Sequence, residues 1–210
     1  MTQLIGLSGG IGSGKTSVRQ MLEELGAQTI CADQVVHELQ AAGAPMLDVL
    51  AEEFGPEILA SDGSLNRKAL GDVVFRDAKA RARLGAIVHP PVVAEIARRT
   101  RSAMESQVPV AVVDIPLLFE GIQNQTGSAI ALQYDALVLV WVPAETQIQR
   151  TVKRDSCTVE EAERRVAAQM PIDDKRPLAT HIIDNSGPLS KTAEQVQSLW
   201  EQWSRQEAPS

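Results

Sequence analysis

Residues 9–16 read Gly-Gly-Ile-Gly-Ser-Gly-Lys-Thr, and they stand between an apolar run at residues 4–7 and a stripe of Val18, Met21, Leu22 and Leu25 at helical spacing. The segment fits the phosphate-loop pattern G-x-x-x-x-G-K-[ST], and its setting is the strand, loop and helix that the pattern requires. No other feature constrains the chain as strongly, because such a unit belongs to an α/β protein with a parallel sheet. The chemistry is equally constrained. Gly9, Gly10, Gly12 and Gly14, with Ile11 and Ser13 between them, let successive backbone N–H groups converge on phosphate oxygens. Lys15 adds a point charge for the β and γ phosphates, and the Thr16 hydroxyl suits a magnesium ion. The following helix turns the positive end of its dipole toward the same anion, so a nucleoside triphosphate, ATP or GTP, is the expected ligand.

The rest of the chain fills in the sheet. Gly26 stands where the first helix should stop, and residues 29–32 read as a second strand. Residues 108–113 and 136–142 are nearly continuous apolar runs, as expected of parallel strands covered on both faces. Residues 181–184 supply a short last strand, Pro143 opens a helix to about Arg154, and Thr158 with Glu161 has capping-box spacing for another. The closing helix carries a stripe of Val196, Leu199, Trp200 and Trp203, expected to cover the sheet. Residues 34–104 read as helices broken by turn signals, with a helix ending at Pro90-Pro91. The expected architecture is a doubly wound, parallel, five-stranded sheet in one catalytic unit of 210 residues. Its core spans about 1–33, 106–150 and 178–210, its helical substrate-binding insertion about 34–105, and its small helical lid about 151–177.

A formal charge of −7 argues against a general nucleic-acid binder, since neutralising a phosphate backbone needs a basic surface. Two cysteines are too few for a disulfide framework, and no apolar run is long enough to span a bilayer. The expectation is a cytoplasmic protein without membrane or nucleic-acid partners, monomeric or weakly self-associating. Ligands of open α/β sheets bind beyond the carboxyl ends of the strands, where this reading puts Asp33, Asp114 and Glu120. Asp114 directly follows a strand, the usual place for a magnesium-holding carboxylate in phosphate-loop proteins; it reads alternatively as a helix cap. Asp33 faces the transferred phosphate in this reading and is a candidate to orient or deprotonate an accepting hydroxyl, or else a helix N-cap. Arg150 and Arg154 lie four apart on one helix face, placed to spread developing negative charge. Most of the later charges, among them Arg164, Arg165, Lys175 and Arg176, read as a solvated salt-bridged surface.

Taken in order, several segments resemble the dephospho-coenzyme A kinase family. They are the loop itself, Ala32-Asp33, Leu65-Asn66-Arg67, Val88-His89-Pro90, Asp114-Ile115-Pro116-Leu117-Leu118-Phe119-Glu120, Gln149-Arg150, Arg154-Asp155, Gln169-Met170-Pro171 and Asp184-Asn185. The resemblance implies an ATP-dependent kinase, with magnesium, that phosphorylates the ribose 3′-hydroxyl of dephospho-CoA, the last step of coenzyme A synthesis. By the same resemblance Asp33 is the catalytic carboxylate, Lys15, Arg150 and Arg154 act on the phosphates, and Asn185 lies near the adenine. Arg67, His89, Pro116, Leu117, Leu118, Phe119 and Glu120 are implied at the acceptor site, and Thr16 with Asp114 at the metal. The chain departs from the family pattern at residues 123–132, a longer connection expected to be a surface loop, and at Thr180-His181, where Ala-Asp is usual. The alternatives are another small phosphate-loop kinase, acting on a nucleoside monophosphate or small metabolite, and a non-catalytic nucleotide switch. The Asn-Lys-x-Asp segment of a GTPase switch is missing from the sequence.

Overall fold

The first apolar run becomes β1 (Gln3–Gly9), and residues 4–9 of it are buried because both faces of the strand are covered. It lies at the centre of a five-stranded sheet, flanked by β3 (Val110–Asp114) and β4 (Ala136–Trp141), with β2 (Gln28–Cys31) outside β3 and β5 (His181–Asp184) outside β4. Every pairing is parallel. The sheet is doubly wound and parallel, as the alternation of strands and helices leads one to expect, and its order is β2-β3-β1-β4-β5. The structure is a computed structural model and describes residues 1–205, so positions 206–210 of the expected core lie outside the described residues.

The chain forms two compact units, Met1–Cys31 with Arg99–Ser210, and Ala32–Arg98. In the first, α1 (Lys15–Glu24) and α10 (Leu189–Ser204) cover one face of the sheet. Val18 and Leu22 of α1 and Val196 and Trp203 of α10 join Ile5, Leu7, Val112, Val138 and Val140 in one apolar cluster. The stripe read in the closing helix therefore covers the sheet, as expected. Gly26, at φ 106°, ends α1 in the left-handed region. On the other face, Phe119 of α6 (Leu118–Asn124) packs with Leu139 and Ile172. Between β4 and β5 come α8 (Ala144–Asp155) and α9 (Val159–Ala167), and Thr158 caps α9 by accepting the Glu161 N–H at 3.2 Å.

The second unit contains α2 (Ala32–Leu39), α3 (Pro45–Phe54), α4 (Arg67–Arg76) and most of α5 (Ala78–Glu105), packed around Val35, Leu47, Leu50, Phe54 and Ile58. Asn66 caps α4 through the Ala69 N–H at 3.1 Å. Two local expectations fail. Pro90 and Pro91 lie inside α5 instead of ending it. Each proline removes one i→i−4 bond, but the buried stripe of Val92, Ile96, Thr100 and Ala103 continues at helical spacing beyond them and carries the helix on. Residues 123–132 are not a plain loop either: residues 123–124 complete α6 and α7 (Ser128–Ala131) follows a turn.

Candidate active site

The glycine-rich loop begins where β1 ends, and the strand register sets its neighbours. Leu7 and Cys31 both pair with Asp114, so β2 and β3 end level with each other while β1 runs two residues further, to Gly9. Side chains then fix the loop from behind through its carbonyl oxygens. Gln147 Nε2 donates to Ile11 O at 2.8 Å, Asn185 Nδ2 donates to Ser13 O at 2.7 Å, and Arg150 donates to the same Ser13 O at 3.4 Å. Thr192 Oγ1 in turn donates to Asn185 Oδ1 at 2.8 Å, which holds the amide in place. Gly12 and Gly14 have φ of 73° and 86°, and a Cβ on either would collide with Gln147 or Asn185. No other residue fits these two positions. The Ile11 N–H is given to Gln169 and the Ser13 N–H to Gly10 O, while α1 starts at Lys15 directly after the loop and turns its N-terminal N–H groups to this end of the sheet, where an anion is favoured.

Lys15 Nζ forms an ion pair with Asp114 Oδ1, and Arg19 Nε stands 3.6 Å from the other oxygen. The Asp114 side chain is only 3 % exposed, so its charge is held inside the protein by these two cations. Thr16 is exposed in the first turn of α1. Its hydroxyl and the Asp114 carboxylate are hard oxygen donors of the kind magnesium prefers. Among the described residues there is no group of three or more His, Cys, Asp and Glu able to hold a metal. Two protein ligands nevertheless suit magnesium, which keeps water and substrate phosphates in its remaining positions.

Three residues read as nucleotide contacts are engaged in ways their spacing did not reveal. Arg150 caps Asn185 O at 2.9 Å as well as Ser13 O, which puts its guanidinium against the phosphate loop. Asn185 is buried, and its side chain supports the loop. Arg154 makes a two-pronged pair with Asp155, at 2.7 and 2.9 Å, and Arg165 joins the same carboxylate. Hydrogen bonding from Arg154 holds the Asp155 carboxyl below its ordinary pKa, and the same bond raises that of Arg154.

Residues 116–120 divide into separate tasks. Pro116 O accepts the Ser8 hydroxyl at 3.0 Å, Leu118 and Phe119 are fully buried, and Leu117 is half exposed. Glu120 accepts the Met170 N–H at 3.1 Å and pairs with Lys175 at 2.7 Å. The Lys175 side chain has no exposure at all, against the expectation of a solvated charge. Nearby, Gln169 Oε1 accepts the Ile11 N–H at 2.8 Å, Trp141 Nε1 donates to Asp173 at 2.8 Å, and the Arg176 guanidinium lies 4.9 Å from the Trp141 ring centre. These contacts fasten the segment after α9 to the loop and to β4. A buried pair loses more when one partner is removed than when both are, since the survivor is left charged and dry. Glu120→Leu should therefore cost about 3–5 kcal/mol in denaturant unfolding, and Glu120→Leu with Lys175→Met should restore most of it. A single-variant loss below about 1 kcal/mol would mean the pair is solvated.

Within the second unit, Asp33 is exposed in the first turn of α2. Arg67 donates to Gln40 Oε1 at 2.9 Å and to His37 Nδ1 at 2.8 Å, and both Arg67 and His89 line one cavity. Sequence reasoning did not single out Gln147, Gln169 as a loop ligand, Thr192 or buried Lys175. Gln147, Thr192 and Lys175 are polar residues in polar stretches, and only packing shows that they are enclosed.

The chain is similar to known proteins over most of its length. The sequence model of the family described as Dephospho-CoA kinase matches residues 3–191. The curated dephospho-CoA kinase of Symbiobacterium thermophilum is 46% identical over 198 residues, covering 94% of this chain and 80% of that protein. Among solved structures, TT1252 from Thermus thermophilus is similar with a TM-score of 0.74 and 31% identity, covering 94% of this chain and 95% of that one. The dephospho-CoA kinase from Campylobacter jejuni shares the fold at a TM-score of 0.71 and 23% identity, over 98% of both chains.

Proposed function

The chain belongs to the dephospho-CoA kinase family, and from that membership we propose that it transfers the γ-phosphoryl group of ATP to the ribose 3′-hydroxyl of dephospho-CoA, releasing CoA and ADP. The observation that carries the donor half is the loop at residues 9–16, whose carbonyls are held by Gln147, Asn185 and Arg150 while Lys15 waits on Asp114. Phosphoryl transfer asks of the protein chiefly positioning and charge stabilisation, with a base for the accepting hydroxyl.

In this mechanism the Asp33 carboxylate accepts the hydroxyl proton as the ribose oxygen bonds to the γ phosphorus. The bond from phosphorus to the β–γ bridging oxygen breaks, and ADP leaves with that electron pair. Lys15 exchanges Asp114 for the phosphate oxygens as the nucleotide enters, and the loop N–H groups hold the β phosphate. Arg150, already against the loop, and Arg154, once it leaves Asp155, spread the charge that develops on the transferred group. Thr16 and Asp114 would hold magnesium together with phosphate oxygens and water, where the ion supplies further charge neutralisation. Asn185 supports the loop and lies at the adenine side, residues 34–105 take the acceptor with His89 and Arg67 contributing, and residues 151–177 act as the lid; Leu118 and Phe119 are fully buried and Glu120 is tied to Lys175 and Met170, so these three serve packing and not the acceptor. No helix among the described residues is long and apolar enough to cross a membrane, and we place the enzyme in the cytoplasm as a monomer or weak homo-oligomer.

Coupled ADP release across a panel of acceptors tests the reading. Dephospho-CoA should be phosphorylated, and the product should have the mass of CoA. Preferred turnover of nucleoside monophosphates or shikimate would assign another small kinase, and ATP hydrolysis with no phosphorylated acceptor would assign a nucleotide switch.

A further inference from the structure

The phosphate loop contains a turn that can stand in two ways. The Ser13 N–H donates to Gly10 O at 3.0 Å and closes a turn whose central residues are Ile11 and Gly12. Gly12 has φ 73° while φ at Ile11 is not positive, which makes the turn type II. Type II and type I differ by about a half-rotation of the peptide between the two central residues, here the one joining Ile11 to Gly12. Glycine in the third position is at ease in both, so the backbone by itself leaves the choice open. In a trans peptide the C=O and the N–H point opposite ways, so the orientation decides which side of the loop receives a donor and which an acceptor.

Gln147 makes the choice. Its Nε2 donates to Ile11 O at 2.8 Å, so this carbonyl faces α8 and the Gly12 N–H faces away from it. Gln147 is 2 % exposed, and the loop is cut to fit it. A Cβ on Gly10 would run into its amide, and one on Gly12 would lie 3.1 Å from its Cα. Gln169 holds the preceding peptide by accepting the Ile11 N–H at 2.8 Å, and it is steadied in turn where the adjoining Met170 N–H meets Glu120 Oε1 at 3.1 Å. Arg150, one turn along α8 from Gln147, reaches Ser13 O at 3.4 Å. One face of α8 therefore sets both the turn and a cation beside it.

We propose that Gln147, assisted by Gln169, is a positioning residue for the transfer: it holds the Ile11–Gly12 peptide so that the Gly12 N–H, and not the Ile11 C=O, is offered to the negative charge that grows on the departing ADP, a role that rests on the ATP-dependent transfer assigned above. With the peptide turned over, a carbonyl dipole meets that charge, and the penalty rises as the charge grows. The loss falls on kcat more than on binding. A glutamine that only filled space would produce no such split.

The test uses Gln147→Met, which withdraws the donor at similar volume, and Gln147→Glu, which keeps the shape but offers only acceptors. A carboxylate at this position repels Ile11 O and accepts the Gly12 N–H, so it favours the turned-over peptide. The kcat should fall about fivefold for Gln147→Met, the worth of one net hydrogen bond. It should fall about 100-fold or more for Gln147→Glu, while the KM for dephospho-CoA stays within about twofold in both. The amide resonance of Gly12 reads the geometry directly. A non-hydrolysable ATP analogue should shift it downfield in the wild type and leave it nearly unmoved in Gln147→Glu. If neither Gln147 variant folds, Gln169→Met, at a half-buried position, should lose about fivefold in kcat, and an unchanged kcat there overturns the proposal. Equal losses for the Met and Glu variants, a wild-type Gly12 amide that ignores the analogue, or one that responds normally in Gln147→Glu, overturns it as well. Failure of the wild type to phosphorylate dephospho-CoA is a different result: it removes the acceptor reading, while the Gly12 measurement, made without acceptor, still decides the role of Gln147.

Discussion

Asp33→Asn should lower turnover by about 10²–10⁴-fold while the affinity for ATP stays within about twofold, because the amide keeps the shape of the carboxylate but cannot take a proton. The substitution is unusually clean. Asp33 is exposed in the first turn of α2, so the cost to stability is confined to a lost charge near a helix N-terminus, about 0.3–1 kcal/mol. A comparison with Asp33→Ala separates two roles. If the carboxylate only orients the hydroxyl, Asn should retain much of the rate and Ala should not; if it takes the proton, the two variants should be similarly slow. Rates at saturating dephospho-CoA, with equilibrium binding of a non-hydrolysable ATP analogue, give the two quantities needed. A near-normal rate for both variants would remove Asp33 from the mechanism.

What could be read from the sequence was whatever has a period or a fixed turn chemistry. The apolar runs of β1, β3 and β4 are continuous because parallel strands are covered on both faces, and that pattern survives without any tertiary knowledge. The stripes of α1 and α10 were legible for the corresponding reason: each buries one side on the sheet. Boundaries were less legible where local and tertiary forces disagree. Pro90-Pro91 carries a strong local signal for a helix end, yet the buried residues on either side of it keep α5 continuous. At residues 123–132 the polar composition reads as loop, while short helical turns satisfy the backbone there.

The site divides along the same line. Gly12, Gly14, Lys15 and Thr16 belong to a pattern whose spacing is dictated by a phosphate, so the chain displays them directly. Gln147, Gln169 and Thr192 support that loop from elements far along the chain, and their spacing follows the fold instead of the ligand. Lys175 is the extreme case. Flanked by Asp173, Asp174 and Arg176 it has the sequence context of a surface charge, and only the approach of Glu120 turns it into a buried ion pair.

Lys15→Ala should reduce turnover by about 10²–10³-fold, the size expected when one charged group is withdrawn from a developing phosphoryl transition state. The same substitution disturbs the resting protein, and the two effects have to be told apart. Lys15 neutralises Asp114, whose side chain is 3 % exposed; once the ammonium is gone, only Arg19 at 3.6 Å remains near that carboxylate. A buried charge short of one partner should cost about 1–3 kcal/mol of stability. Adding Asp114→Asn to Lys15→Ala removes the stranded charge, so the double variant should recover most of the unfolding free energy. Turnover should not recover, because the missing ammonium is still missing at the β and γ phosphates and a metal-holding carboxylate has gone with it. Denaturant unfolding beside single-turnover kinetics of the three variants reads both quantities. If the double variant regained activity in step with stability, the slow turnover of Lys15→Ala would reflect a loosened fold, and Lys15 would lose its place at the phosphates.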